Sequence, residues 1–290
     1  GNRVNEGHAE LAVCLYLPGG RVACQFKRPK IFSNDKFDAG GLAYHVVAPL
    51  SSVHMHYSGE LMLLNDPNAL REPSMMFAEA QRVEGEVDWH LSGISPVHGG
   101  VPTSDAVETY YGRDFSFAHF NQHMHARGQV RVGQEIWPIE GAGWRDHSWG
   151  PRYWQNIYFY RLFIANFDDN RGLMLLKITD PFRRTRRLGV LLVQGCYEEV
   201  VDMDVTTDWS DAGEPQSARI VVVTEKHRAQ IHARMQTSAP LRHRRMHGEH
   251  LIASRIVESF TLFQWDGVPG YGMAEYNDRL EGDRPVGVPL

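Results

Sequence analysis

The sequence lacks the motifs that define several large enzyme and membrane-protein classes. No apolar run approaches the roughly 20 residues that span a membrane, and the N-terminus has no signal-peptide pattern. We therefore expect no integral membrane segment and, by default, a cytoplasmic location. The chain also has no Walker loop, no Gly-x-Ser-x-Gly elbow, no His-Glu-x-x-His motif and no complete Rossmann fingerprint. Nucleotide chemistry and serine hydrolysis are therefore disfavoured.

The chain also has few cysteines and a small net charge. The three cysteines, Cys14, Cys24 and Cys196, cannot all pair, and their spacing matches no zinc or redox motif. A disulfide between Cys14 and Cys24 is conceivable because they flank a predicted turn, but free thiols in a reducing compartment are favoured. The formal net charge of −5 argues against a basic face, so we expect no nucleic-acid partner.

Alternation of apolar and polar residues dominates the pattern of the chain. The runs 11–17 and 22–26 bracket a Pro-Gly-Gly turn and predict a β-hairpin, and longer strands are predicted at 115–132, 157–167 and 252–264. The only helical signal is a short turn at 66–71. Many short strands with turn residues between them predict an all-β protein built from antiparallel barrels or sandwiches.

The stretch 141–152, Gly-Ala-Gly-Trp-Arg-Asp-His-Ser-Trp-Gly-Pro-Arg, concentrates ionisable and aromatic residues. Tryptophan favours burial whereas charges need water or partners, so these charges must be paired or perturbed. One interpretation is a buried structural ion pair between Asp146 and Arg145 or Arg152. The other is a functional site, because perturbed groups concentrate in such sites.

The chemistry of this stretch favours acid catalysis. In an extended segment, Trp144, Asp146 and Ser148 share one face, and a carboxyl beside indoles has its pKa raised by desolvation. Such a group is a usable general acid near neutral pH. Protonation of an isoprenoid double bond gives a carbocation, which aromatic faces stabilise. The candidate substrate-binding residues are Trp144, Trp149, Trp154, Tyr158 and Tyr160.

A short internal repeat suggests two similar halves. The pattern Gly-x-Gly-x-x-acid occurs at Gly141–Asp146 and again, 129 residues later, at Gly270–Glu275. Either this is coincidence, since glycine is common, or two similar barrels each close on such a strand. The second interpretation places a domain boundary near Gly150.

The central motif, the lead-in 128–133 and the tail 270–276 together resemble the carotenoid 1,2-hydratase (hydroxyneurosporene synthase) and AttH-like superfamily, particularly its uncharacterised bacterial members. This resemblance implies two tandem lipocalin-like (calycin) antiparallel β-barrels, with an N-terminal barrel at 1–150 and a C-terminal barrel at 151–290.

The resemblance also implies roles for individual residues. The position of the protonating acid corresponds to Asp146, and His147 and Arg152 would orient this acid or hold water. Glu275 and Tyr276 occupy the echoing position, where a structural role that plugs or closes the second barrel is expected.

The function predicted from these observations is a cofactor-independent hydratase, lyase, isomerase or cyclase. Its substrate would be a hydrophobic, isoprenoid- or polyene-like small molecule that reacts at a C=C bond, with Asp146 as general acid. One alternative is a non-catalytic carrier of hydrophobic small molecules. Another is a pericyclase that shapes a polyene without proton transfer. An enzyme is favoured over a carrier, and a homodimer is compatible with the sequence.

Two histidine patterns bear on metal binding. His54, His56 and Glu60 mimic the His-x-His-x3-Glu of cupin oxygenases, but the preceding glycine and the second cupin motif are absent, so no metal is predicted. The second pattern places His119, Asn121, His123 and His125 on one strand face. That face is interpreted either as a solvated outer face, which is favoured, or as a polar barrel lining.

Overall fold

The computed structural model describes residues 1–102, 109, 111–113 and 115–289. Strands account for 67% of the chain and helices for 7%. The strands form two nine-stranded antiparallel sheets and a short two-stranded one. The predicted all-β fold of antiparallel barrel sheets is therefore confirmed, with one sheet closed into a barrel and the other curled into a half-barrel.

The first large sheet is a curled half-barrel with the strand order β11-β10-β8-β7-β4-β3, while β5, β6 and β9 pair at its side and β1 pairs with β2. Its central strands carry long alternating apolar patterns, such as Val83, Val87, Trp89 and Leu91 on β8. The strands of this half of the chain are β1 (Asn2–Arg3), β2 (His8–Ala9), β3 (Leu11–Tyr16), β4 (Val22–Lys27), β5 (Asp38–Ala39), β6 (Leu42–Ala48), β7 (Ser52–Leu64), β8 (Gln81–Gly93), β9 (His98–Gly100), β10 (Ala118–Val132) and β11 (Glu135–Trp149).

The second large sheet is a closed eight-stranded barrel. Its strands follow one another in sequence order, and the first pairs with the eighth, which leaves no open edge between them. A short ninth strand pairs with the eighth. These strands are β12 (Phe159–Asp168), β13 (Arg171–Thr179), β14 (Thr185–Val193), β15 (Cys196–Trp209), β16 (Pro215–Thr224), β17 (Arg228–His247), β18 (His250–Trp265), β19 (Val268–Glu281) and β20 (Arg284–Pro285).

The predicted N-terminal hairpin is present as β3 and β4. Leu11, Val13 and Leu15 point into the core in strict alternation, and a 3-10 turn at Pro18–Gly20 joins the two strands. Cys14 lies directly opposite Cys24 in the register, yet all three cysteines are free thiols.

One helix differs from the prediction. The helical signal at 66–71 corresponds to a 3-10 helix at Pro67–Arg71, but the α-helix α1 (Pro73–Glu79) was not predicted. Pro73 starts this helix because proline has its φ preset for the first helical turn. At seven residues, α1 is too short to show a helical period. Further 3-10 turns lie at Val4–Glu6 and Trp154–Asn156.

The chain forms two compact units. Unit 1 comprises Gly1–Gly93 and Met124–Gly143, and unit 2 comprises Ile94–His123 and Trp144–Leu290. The predicted domain boundary near residue 150 stays a prediction. Across the described ranges, no helix has the length and apolar character needed to cross a membrane.

Each unit has its own apolar core. Unit 1 packs around Tyr57 and Leu61, which are both fully buried. The barrel of unit 2 is filled by the inward-facing residues of its eight strands, among them Phe163 and Tyr276. The predicted structural role of Tyr276 agrees with its position: its ring packs in the barrel core and its hydroxyl bonds with Thr207 at 2.9 Å.

The opposite face of the barrel wall carries a second apolar cluster in unit 2. Because side chains alternate along a strand, Tyr160, Leu162 and Ile164 point away from the core that Phe163 occupies. Residues from the segments 111–115 and 144–154 of the same unit pack on this outer face. This cluster contains the candidate site.

Candidate functional site

The carboxyl group of Asp146 is paired with a buried histidine. A hydrogen bond of 2.7 Å joins Asp146 Oδ2 to His119 Nε2. The His119 side chain is 3% exposed, whereas that of Asp146 is 46% exposed. With its amide nitrogen turned toward the pair, Asn121 donates to the same carboxyl oxygen at 3.0 Å. The structure thus holds Asp146 from the buried side and leaves its other side accessible.

The two arginines of the motif have other contacts. The guanidinium group of Arg145 lies 5.0 Å from the ring centre of Phe120. Arg152 donates to the backbone oxygen of Phe115 at 2.5 Å and to Ser148 Oγ at 2.8 Å. Arg152 therefore ties the end of β11 to the segment before β10.

Aromatic rings surround the face that Asp146 shares with Trp144. The Trp144 ring meets the His123 ring edge-on at 4.6 Å, and Phe115 meets Trp154 in the same way at 4.9 Å. The indole nitrogens of Trp144 and Trp154 are buried and have no hydrogen-bond partner within the part of the chain that the structure describes. Such buried N–H groups are uncommon, and each can donate to an oxygen atom of a bound ligand.

The prediction that the face of His119, Asn121 and His123 is a solvated outer face is wrong. These three side chains are buried; His123 Nε2 lies 3.3 Å from the backbone oxygen of Ala165 on β12, and the ring centre of His119 lies 5.5 Å from that of Tyr111. Burial lowers the pKa of His123 to about 4, so its imidazole is neutral at physiological pH. Its Nδ1 bonds with the Tyr197 hydroxyl at 2.8 Å. Gly172 makes room for it, since a Cβ there would lie 2.4 Å from His123 Nε2.

Two further carboxyl groups lie on the same outer face of the barrel. Glu258 and Glu275 are directly opposite each other on β18 and β19, and the Tyr160 hydroxyl donates to Glu275 Oε1. Burial raises the pKa of Glu275 to about 8, and the charges of Glu258 and Asp146 add to this effect. Burial also raises the pKa of Glu258.

Tyr111 connects these carboxyl groups with the Asp146–His119 pair. Its ring centre lies 5.5 Å from that of His119 and 5.8 Å from that of Tyr160. Burial raises the pKa of Tyr111 well above its usual value, and the charges of Glu275 and Asp146 raise it further. The Tyr111 hydroxyl is therefore protonated across the physiological range.

The structure brings together four of the predicted site residues, and Arg152 contacts Phe115 of the same cluster, whereas the other three have different surroundings. Trp144, Trp154 and Tyr160 belong to one apolar cluster, and Asp146 lies on the same strand face as Trp144. Two predicted residues, His147 and Trp149, are on the opposite face of β11, with ring centres 5.5 Å apart. Burial lowers the pKa of His147, and the charge of Arg145 lowers it further.

Tyr158 has other contacts, and several residues of the site were not predicted from the sequence. Tyr158 donates to Glu281 Oε1 at 2.7 Å and stacks under Arg183, so it contacts neither Asp146 nor His119 in these interactions. Tyr111 has no sequence signal that would have selected it, whereas Glu258 could have been found as the residue opposite Glu275 across the turn Asp266-Gly267. His119 was noted only as part of a histidine-rich strand, and Glu275 only as an echo of Asp146.

One group among the described residues has ligand atoms close enough together to hold a metal ion. It consists of His54, Asp88 and His90, whose ligand atoms lie within 4.8 Å of one another. His54 Nε2 is 3.1 Å from Asp88 Oδ1, but its ring stacks flat on His90 at 4.3 Å. Parallel rings aim their nitrogens side by side rather than at a common point. Glu60, from the cupin-like pattern, instead pairs with Arg82 at 3.3 Å.

A match to a family profile shows which family this chain belongs to. The profile described as "Domain of unknown function (DUF7064)" matches residues 1–280. The chain belongs to this family. No curated protein sequence matches it.

Three solved structures are similar to this DUF7064 protein. The provisionally named AttH protein (NE1406) of Nitrosomonas europaea is 13% identical, with a TM-score of 0.47 over 91% of this chain and 87% of that one. CghA is 11% identical, with a TM-score of 0.42 over 92% and 81% of the two chains. CghA with Sch210972 is 12% identical, with a TM-score of 0.43 over 92% and 86%. At these identities and TM-scores the similarities say nothing about the reaction.

Proposed function

We propose that this protein is a cofactor-independent lyase or isomerase that protonates a C=C bond of a hydrophobic, isoprenoid- or polyene-like substrate. The observation that carries the proposal is the 2.7 Å hydrogen bond between Asp146 and His119. This hydrogen bond supports the proposal because it joins an accessible carboxyl to a buried imidazole, beside aromatic rings, so that one proton can pass between them. A general acid needs such a positioned proton within reach of its substrate.

The surroundings of the pair suit a carbocation better than an anion. Ring faces such as those of Trp144 and Tyr111 attract a positive charge, an effect that grows when water is excluded. The buried His123 is neutral because burial lowers its pKa to about 4, so it adds no positive charge that would oppose the cation. A reaction through protonation of an alkene is therefore favoured here.

The fate of the cation decides the reaction class. Capture by water makes the enzyme a hydratase, loss of a neighbouring proton makes it an isomerase, and attack by a second double bond makes it a cyclase. In this proposal Asp146 is the catalytic acid. Arg152 is a positioning residue, because its contacts with Ser148 and Phe115 hold the end of the strand that carries Asp146. His147, on the other strand face, would act through that strand.

Solvent isotope incorporation tests this function. The protein is incubated in D2O with acyclic isoprenoids of increasing length, such as farnesene, squalene and lycopene in detergent micelles, and the products are analysed by mass spectrometry. We expect a product that carries one deuterium on carbon. A rearranged product without solvent deuterium would support the pericyclase instead, and saturable binding without any product would support the carrier. Either result would overturn the proposal.

A further inference from the structure

The pairing of β18 with β19 forces two acidic side chains together. Glu258 and Glu275 are register partners, and both lie on the outer face of the barrel because their neighbours Val257 and Tyr276 fill its core. Side chains that are directly opposite have Cβ atoms about 4.5–5.5 Å apart, and like charges at this separation destabilise a sheet. Two ionised carboxylates are therefore disfavoured at this position.

Burial adds to this repulsion. Both glutamates retain some accessible surface, yet protein atoms surround both carboxyl groups. Burial, with help from Glu258, raises the pKa of Glu275 to about 8, so this group keeps its proton at neutral pH.

The other titratable groups that act on the pair come from three different elements. Tyr160 of β12 donates its hydroxyl proton to Glu275 Oε1. Tyr111, from the segment before β10, interacts electrostatically with Glu275, as does Asp146 of β11. These groups thus couple the glutamate pair electrostatically to Asp146, and all of them belong to unit 2.

We propose that Glu258 and Glu275 share one proton at neutral pH and form the second acid–base group of this site. This inference rests on the proposed function, because it assigns the step that follows protonation. In a hydration, Asp146–His119 gives one proton to one alkene carbon, and the oxygen of water bonds to the other carbon. That water then loses one proton to the carboxylate of the glutamate pair. The glutamate pair then releases this proton to solvent and Asp146–His119 takes one up from solvent, so water is added and the enzyme is restored.

Infrared spectroscopy tests the shared proton without any substrate. At pH 7 we expect a C=O band of a protonated carboxyl that shifts in D2O and disappears in Glu275→Gln. Glutamine mimics the neutral acid, so this variant should fold. Glu281→Gln is the matched control, since Glu281 also lies on β19 and accepts a hydrogen bond from a tyrosine, Tyr158, which directly precedes β12; this variant should retain the band. A wild-type spectrum without this band, or a band that persists in Glu275→Gln, would overturn the inference.

The Glu258→Gln variant tests whether Glu275 shares its proton with Glu258 or is a single buried acid. Removal of the facing charge should lower the pH at which the Glu275 band titrates. An unchanged titration would show that the two carboxyls do not share a proton and would overturn the inference.

The combined results distinguish the two proposals. If the band behaves as expected but no substrate gains deuterium, the proposed function fails while the shared proton remains. If Asp146→Asn abolishes deuterium incorporation but Glu258→Gln and Glu275→Gln both retain the full rate and pH profile, only the role of the glutamate pair in catalysis fails. We expect turnover in both glutamine variants to fall by roughly 10²-fold or more, the lower end of the usual range for an acid–base group.

Discussion

Replacement of Asp146 by asparagine is the most direct test of the acid. Asparagine keeps the shape of the side chain and can still accept a hydrogen bond from His119, but it has no carboxyl proton to transfer. We expect turnover to fall by about 10²–10⁴-fold, the usual contribution of general acid–base catalysis. At 1.36 kcal/mol for each factor of ten, this corresponds to about 2.7–5.4 kcal/mol of barrier.

The geometry of the site predicts a small effect of the same change on stability. The Asp146 side chain is 46% exposed, so its hydrogen bond with His119 is partly screened by water. Pairs of this kind contribute about 0–1 kcal/mol to the free energy of unfolding. In a protein of this size, 1 kcal/mol corresponds to a shift of about 2–4 °C in the melting temperature. A buried ion pair with an arginine would instead cost about 3–5 kcal/mol when broken from one side.

Turnover and thermal unfolding should therefore be measured on the same Asp146→Asn preparation. Glu198→Gln is the matched control, because Glu198 also pairs with a histidine, His227, at 2.7 Å but lies outside the cluster around Asp146. A well-folded Asp146→Asn protein with full activity would refute the reasoning. A large loss of stability with full activity in the remaining folded protein would assign Asp146 a structural role instead.

Three other predictions follow from the electrostatics of the fold. Burial raises the pKa of Glu275 from 4.5 to about 8, so the folded protein binds this proton more tightly than the unfolded chain does, and stability falls as pH rises across that interval. The melting temperature of Glu275→Gln should therefore rise relative to that of the wild type between pH 5 and pH 8.5. A difference in melting temperature that stays constant with pH would contradict the assignment. Asp278→Asn should lower the free energy of unfolding in urea by about 3–5 kcal/mol, since Asp278 is fully buried and pairs with the buried Arg161 at 2.8 Å; a loss below 1 kcal/mol would refute this. Treatment with EDTA should leave turnover unchanged, and a loss that zinc restores would revive a metal-dependent reaction.

Some features of the site were within reach of sequence reasoning. Trp144 and Asp146 were expected on one strand face, and His147 on the other, because side chains alternate with a period of two in any extended segment. The structure has this arrangement. The repeat that links Asp146 with Glu275 also marked both acids, although it suggested that they close separate barrels rather than interact electrostatically within one unit.

Other features depend on pairings between distant segments. The hydrogen bond between His119 and Asp146 joins residues 27 positions apart in the sequence, and that between Tyr160 and Glu275 joins residues 115 positions apart. No local pattern encodes such contacts, because they depend on strand register and on which element covers which face. The predicted exposure of His119 was wrong for this reason: alternation specifies that a face exists but not whether it is covered.

The sequence by itself determined the all-β class, the N-terminal hairpin and the face that Asp146 occupies, since these depend on local alternation and turn chemistry. Only the tertiary structure decided which partners that face meets. The two-residue turn Asp266-Gly267 sets the register of β18 against β19 and so places Glu258 opposite Glu275, but the tertiary structure decides what covers this pair. Burial of this pair by segments distant in sequence then raises the pKa of Glu275, because the cost of desolvating a charge depends on all the atoms around it.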